Sequence, residues 1–288
     1  MSATINKVYI QTFERNLRFL AQQTVNRLRP YVTERGVDGV NHNWERLGSK
    51  EASLKTTRGQ ATPVANFVFS RRVSLAKTWD IGELVEQEDP TQALVDLNGG
   101  LTQSMGFAMK RAFDNAIVAA LGGTAMDGDG VATPFPAGQL IGTGVAPISF
   151  DLVTQVQEKF MNNNIMPDED KVFVVSPTQI RQLMQTTEAT SSDYVRGKLD
   201  QLSSTGITPN WMGFNWICST LLDSSGAGKI NAYAFTKRGI GLQINKDISA
   251  FIQQDPSRSY AWSLYCMAVF GAVRVEDEHV VKLDLLNS

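Results

Sequence analysis

Histidine and cysteine are both scarce: the chain has two of each, His42 and His279, Cys218 and Cys266. Neither histidine has a second histidine or a cysteine at ligand spacing, so a His-based metal site lacks support. Both cysteines lie in apolar runs and read as buried free thiols rather than a disulfide. No apolar stretch approaches the ~18 residues of a membrane span. The first residues, MSATINKVYIQTFERNLRFL, lack the charged-then-apolar pattern of a secretion signal. The expectation is a protein kept in a cytoplasm, or in a particle assembled there.

The signatures of catalysis are equally thin. GAGK at 226–229 lacks the upstream glycine of a phosphate loop, and Ile230 stands where a magnesium-holding hydroxyl belongs, so it reads as a turn. DGDG at 127–130 lacks the further acids of a calcium loop. No nucleophile elbow occurs, and neither cysteine has a nearby histidine. Asp168, Glu169 and Asp170 form a run typical of a solvated loop. No basic helix is interleaved with aromatics in the manner of a nucleic-acid reader. These readings point away from an enzyme and imply no cofactor.

What is present is an ordinary globular composition, 42% hydrophobic and 19% charged, with net charge -2 spread unevenly over 288 residues. Residues 1–78 hold thirteen Lys and Arg against five Asp and Glu, so the acidic excess lies in the remainder. Two such parts attract each other, within one chain or between copies.

Along the chain, Val8, Phe13, Leu17, Leu20, Val25 and Leu28 predict a basic amphipathic helix over 8–29, ended by Pro30. It reads equally as a core helix or as an arm lying on a neighbour. Residues 41–65 are polar and turn-rich. Residues 66–79 then alternate, Phe67, Phe69, Val73 and Leu75 on one face and Ser70, Arg72, Ser74 and Thr78 on the other. That predicts the return arm of a long hairpin, on the order of 40 Å. A hairpin of two strands is marginal alone in water, so it must lie on something else. Pro90 opens the longest helical pattern, Leu94 to Ala119, ending at Gly122. About 30 residues there make a rod of ~45 Å, with Gly99, Gly100 and Gly106 inside it. The 122–148 stretch is loop-like. Ser149 caps a short helix, KVFVVS is a buried strand, and Ser176-Pro177 opens another helix. Strands follow at 229–244 and in the C-terminal run, which alternates at His279, Val281, Leu283 and Leu285.

The order of these pieces resembles the major capsid proteins of tailed bacteriophages, the Hong Kong-type capsid fold, and among them the short capsid proteins of podovirus-like phages. TPVANFVFSRRVSL is similar to the returning hairpin strand of that family, and EQEDP at 86–90 to the acid run before its spine helix. AMKRAFDNAIVAAL resembles the spine, VVSPTQIRQLM the central strand and helix, and MAVFGAVRVEDEHVVKL the closing strands. DYVRGKLDQLSSTGITPNWMGFNWICST is similar to the link between them. The resemblance covers nearly the whole chain.

It implies an α+β fold: an N-terminal arm (1–40), an extended hairpin loop (41–80), a peripheral domain with the spine helix (81–148), an α/β axial domain (149–257) and closing strands (258–288). It implies a structural protein that assembles as pentamers and hexamers into an icosahedral head around double-stranded DNA, in a virion built in the bacterial cytoplasm. The implied partners are further copies of the chain, a portal protein and DNA held without sequence preference. Whether a decoration protein binds stays open. No long charged helix precedes Lys7, so a separate scaffolding protein is expected. Cross-linking positions known in some relatives have no match here. On this reading Arg71, Arg72 and Lys77 face a neighbour's acids, supplied by Glu83, Glu86, Glu88 and Asp89. Arg15, Arg18, Arg27 and Arg29 form an arm toward the inner surface. The alternatives are an encapsulin-like compartment for cargo enzyme and a soluble α/β enzyme.

Overall fold

The computed structural model describes residues 22–64, 66–86, 97–165, 169–186 and 196–287. Two compact units emerge from the contacts. One comprises Met1–Val25, Thr78–Ala112 and Lys246–Ala268, the other Asn26–Lys77, Phe113–Asn245 and Val269–Ser288.

The larger unit is organised on a six-stranded sheet of order β7-β14-β11-β8-β10-β9. Its strands are β7 (Leu140–Ile141), β8 (Lys171–Val175), β9 (Ile207–Trp211), β10 (Phe214–Cys218), β11 (Lys229–Thr236) and β14 (Val280–Leu286). All five residues of β8 are buried, as a strand covered on both faces requires. Phe173 and Val175 join Ala232, Ala234, Leu283 and Leu285 on one face, packed with α2 (Phe150–Asn162), α3 (Pro177–Met184) and α4 (Arg196–Thr205). Trp216 stacks on Phe173 at 4.4 Å and donates its Nε1–H to Trp211 O at 2.9 Å.

Local chemistry sets the helix starts as the sequence predicts. Ser149 accepts the amide of Leu152 at 3.3 Å. Ser176 and Gln179 form a reciprocal capping box, each side chain taking the other's amide, with Pro177 in the first turn. Each such cap is worth about 1 kcal/mol. On the other face of the sheet, buried Tyr233 donates to Asp223 Oδ1 at 2.7 Å. Burial, then that carboxylate, push its phenol well above the usual range.

The same unit holds the sheet β2-β3-β5-β6: β2 (Asn41–Leu47), β3 (Phe69–Leu75), β5 (Ala125–Asp127) and β6 (Ala132–Thr133). DGDG is the turn that joins β5 to β6, with Gly130 N on Asp127 O at 3.0 Å. A third set of strands is β1 (Thr33–Gly36), parallel to residues 241–244 of β12 (Ile240–Asp255), followed by β13 (Ala261–Arg274). The helix α1 (Leu97–Gly122) contributes its second half here, where Phe113 stacks on Phe270 at 3.8 Å.

In the smaller unit lie the first half of α1, β4 (Lys77–Val85) from Thr78 onward, and the ends of β12 and β13. There the strand order is β12-β13-β4. Asp255 accepts both the amide and the hydroxyl of Ser257 at the tip of the β12–β13 hairpin.

Two expectations change. The helix over 8–29 lies outside the described residues up to 21. From 22 to 28 the chain is not helical, and only a single turn, Arg29–Tyr31, follows. The reason is Asp114 in α1. Its buried carboxylate takes the amides of Arg27 (2.9 Å) and Leu28 (3.2 Å), which a helix would direct to its own carbonyls. The second concerns the strand over 66–79. It breaks at Ala76, whose amide turns to Val40 O; β3 stops at Leu75 in one sheet, and β4 begins at Lys77 in another. The start of the spine at Pro90 lies outside the described residues.

Candidate subunit interface

The predicted hairpin exists. β2 and β3 pair antiparallel, Leu47 opposite Phe69, Glu45 opposite Arg71, Trp44 opposite Arg72 and His42 opposite Ser74. Gly48 N donates to Val68 O at 2.9 Å and closes the loop between them. What the sequence left unstated is which face turns inward, and the answer is the polar one. Arg72 is 5% exposed and Ser74 1%, whereas Phe69 is 74% exposed and Leu47 61%. Phe67, Val68 and Leu75 are exposed as well.

Arg72, expected at the interface, turns into its own chain. Its Nη2 donates to Asp277 Oδ2 at 2.8 Å, in the turn between β13 and β14. The other oxygen of Asp277 takes Arg274 Nε at 2.6 Å. Arg274 is fully buried; it also donates to Gly123 O and Pro134 O and lies 4.9 Å from the Phe135 ring. One carboxylate thus serves two buried guanidinium groups. Beside it Trp44 Nε1 donates to Ser74 Oγ (3.1 Å), which donates to Gln243 Oε1 (2.8 Å). Gln243 passes the chain on to Gly39 O and Asn245 Oδ1. The indole of Trp44 lies flat against Gly241, where an added Cβ would sit 2.5 Å from the ring.

Asp277, Gln243 and Trp44 escaped the sequence reading. One signal was available for Asp277: Arg274 closes an apolar strand run, and a buried guanidinium needs a carboxylate, here three residues on.

The other candidate residues divide. Arg71 is exposed and pairs with Glu45 at 3.4 Å across the outer face of the hairpin. Lys77, Glu83 and Glu86 are exposed. Glu88, Asp89, Arg15 and Arg18 lie outside the described residues. Arg27 donates to Cys218 O, and Arg29 pairs with Glu34 at 2.8 Å and rests on the Phe113 ring, so both hold to their own chain.

Near the base of the hairpin a cleft is lined by Arg35, His42, Trp44, Glu45, Arg238 and Glu276. The His279 ring donor at 3.0 Å, and next the charges of His279, Arg46 and Arg238, hold the Glu276 carboxyl below its usual range. The other ring nitrogen of His279 meets Thr236 Oγ1 at 2.6 Å, with Glu169 at 3.6 Å.

No curated protein matches the chain. Among solved structures it is similar to the capsid of the cyanophage P-SCSP1u, with TM-score 0.75 and 16% identity over 99% of this chain and 95% of that one. The mature capsid of bacteriophage PhiM1 aligns with TM-score 0.72 and 14% identity, over 98% and 93%. A chain of Mycobacterium phage Che8 aligns with TM-score 0.69 and 18% identity, over 96% and 97%. These likenesses establish the Hong Kong-type capsid fold. The family described as phage capsid protein matches residues 5–287, and with nearly the whole sequence inside that match, the chain belongs to the phage capsid protein family.

Proposed function

We propose that this chain is the major building block of a phage head. It assembles as pentamers and hexamers into an icosahedral shell around double-stranded DNA. A separate scaffolding protein and a portal protein serve that assembly in the bacterial cytoplasm. The observation that carries the reading, beyond family membership, is the hairpin. It turns its polar face to its own chain and leaves Leu47, Phe67, Phe69 and Leu75 open to solvent. Exposed apolar side chains grouped as Leu47 and Phe69 are, opposite each other and followed by the Arg71–Glu45 pair, mark a contact with another macromolecule. In a particle made of one repeated chain, that partner is a second copy. Arg71 and Lys77 on one copy and Glu83 and Glu86 on another then supply charge pairs. Each is worth about 0–1 kcal/mol when exposed, weak enough to let misplaced subunits dissociate.

Negative-stain microscopy and sedimentation of the purified protein test this. Closed shells or capsomers of five and six are expected, with nucleic acid in particles recovered from infected cells. A chain that sediments only as a monomer or dimer at high concentration overturns it. Particles that hold a protein cargo and no nucleic acid identify a cargo compartment instead.

A further inference from the structure

We infer that the buried Arg72–Asp277–Arg274 cluster, with the Trp44–Ser74–Gln243 hydrogen bonds, decides which face of the β2–β3 hairpin turns inward. The role of these groups is selection between two registers more than stabilisation of one. The inference rests on the reading above only in taking the outward face as the one kept for another copy.

Side chains alternate along β3, so a shift of one residue exchanges its two faces completely. On the face now outward stand Phe69, Arg71, half-buried Val73 and Leu75. On the face now inward stand Arg72 and Ser74. Hydrophobic burial is divided between the two choices: the observed one buries Trp44 with Ala125, Val273 and Val275, and the shifted one would hide Val73 and Leu75 instead. The groups that act with Trp44 in the observed sense are polar. Arg72 reaches Asp277 at 2.8 Å, and Ser74 sits between Trp44 and Gln243.

Arg71 is the neighbouring guanidinium on the opposite face. It adjoins Arg72, and in the shifted register its guanidinium would come to the place where Arg72 now stands. With both arginines present the ion pair alone separates the registers weakly, and the Ser74 hydrogen bonds complete the choice; removing Arg72 leaves only the shifted register with a guanidinium for Asp277. Ion pairs buried in this way often add little net stability, since desolvation offsets attraction. Their best-attested use is to fix a register. The Nε of Arg72 is buried without a hydrogen-bond partner among the described residues, which fits a group held for its geometry at some cost.

Hydroxyl-radical footprinting of dissociated subunits, read by mass spectrometry, tests the inference. In the native chain Leu75 is open to oxidation and Trp44, 8% exposed, is protected. In Arg72→Met, which leaves the Arg274–Asp277 pair balanced, oxidation of Trp44 rises by roughly fivefold and that of Leu75 falls as the faces exchange. Ser74→Val shifts the footprint in the same direction, while Arg71→Gln keeps the native one. A native footprint in both Arg72→Met and Ser74→Val overturns the inference. So does loss of folding by circular dichroism in Arg72→Met, which would make the ion pair a source of stability instead. No shell is formed in this experiment, so a chain that fails to assemble leaves the footprint result standing.

Discussion

Arg72 and Asp277 are 205 residues apart in sequence, yet their side chains meet at 2.8 Å in a site from which water is almost excluded. The same carboxylate balances Arg274. Asp277→Ala therefore strands two guanidinium groups and should lower unfolding stability by about 3–5 kcal/mol, the range for breaking a buried pair from one side. Urea denaturation followed by tryptophan fluorescence measures it. Arg72→Met should change the midpoint far less, because one cation and one anion remain.

Phe69→Asp should separate folding from assembly. Phe69 lies on the open face, and exposed substitutions away from special features shift stability by about 0.5 kcal/mol or less. Thermal melting of the isolated subunit should therefore be nearly unchanged, while particle yield in sedimentation should collapse. Normal shells from this variant would remove the outer face of the hairpin from the interface.

Two glycine-to-alanine changes should have opposite signs. At Gly271 a Cβ would lie 2.0 Å from the carbonyl oxygen of Leu75, in the backbone beside the break between β3 and β4. Backbone cannot yield there cheaply, and a loss of about 1–3 kcal/mol is expected. Gly106 sits inside α1 with nothing among the described residues within 4 Å of the same added atom. Alanine there should stabilise by up to about 1 kcal/mol through helix propensity. Differential scanning calorimetry of the two variants reads both signs.

Acid stability should depend on Glu276. Its folded carboxyl is held below the usual 4.5, first by the His279 hydrogen bond. A depressed carboxylate contributes stability that is whole above the unfolded value and is lost as pH falls through the folded one. Stability should thus decline below about pH 4.5. In His279→Gln the decline should be shallower, since Glu276 returns toward its ordinary range. Urea midpoints measured from pH 6 down to pH 3 compare the two slopes.

Much of the larger unit was legible because its signals are local. Lys171–Val175 announces a strand buried on both faces, and Ser176-Pro177 followed by Gln179 announces a helix start; both act within a few residues. The inward face of β3 was not legible. Its partners, Asp277 and Gln243, lie about two hundred residues downstream, and alternation fixes that two faces exist without saying which is buried. The stretch before Pro30 misled for a related reason. Leu28 fits a helical pattern, but a single carboxylate, Asp114 of α1, claims the amides of Arg27 and Leu28. The break at Ala76 falls in an uninterrupted alternating run and has no turn residue to mark it.

The loop from Gly48 to Val68 has a use outside the virus. Its ends are pinned by the hydrogen bond between those two residues and by the seven-residue pairing of β2 with β3, so its own length contributes little to holding them together. Closure entropy grows only with the logarithm of loop length, about 0.6 kcal/mol for each doubling. A foreign peptide as long as the loop itself could be spliced into its polar tip at that modest penalty to the subunit fold. The hairpin is then a display scaffold, carrying the guest at a fixed point on every copy of the chain.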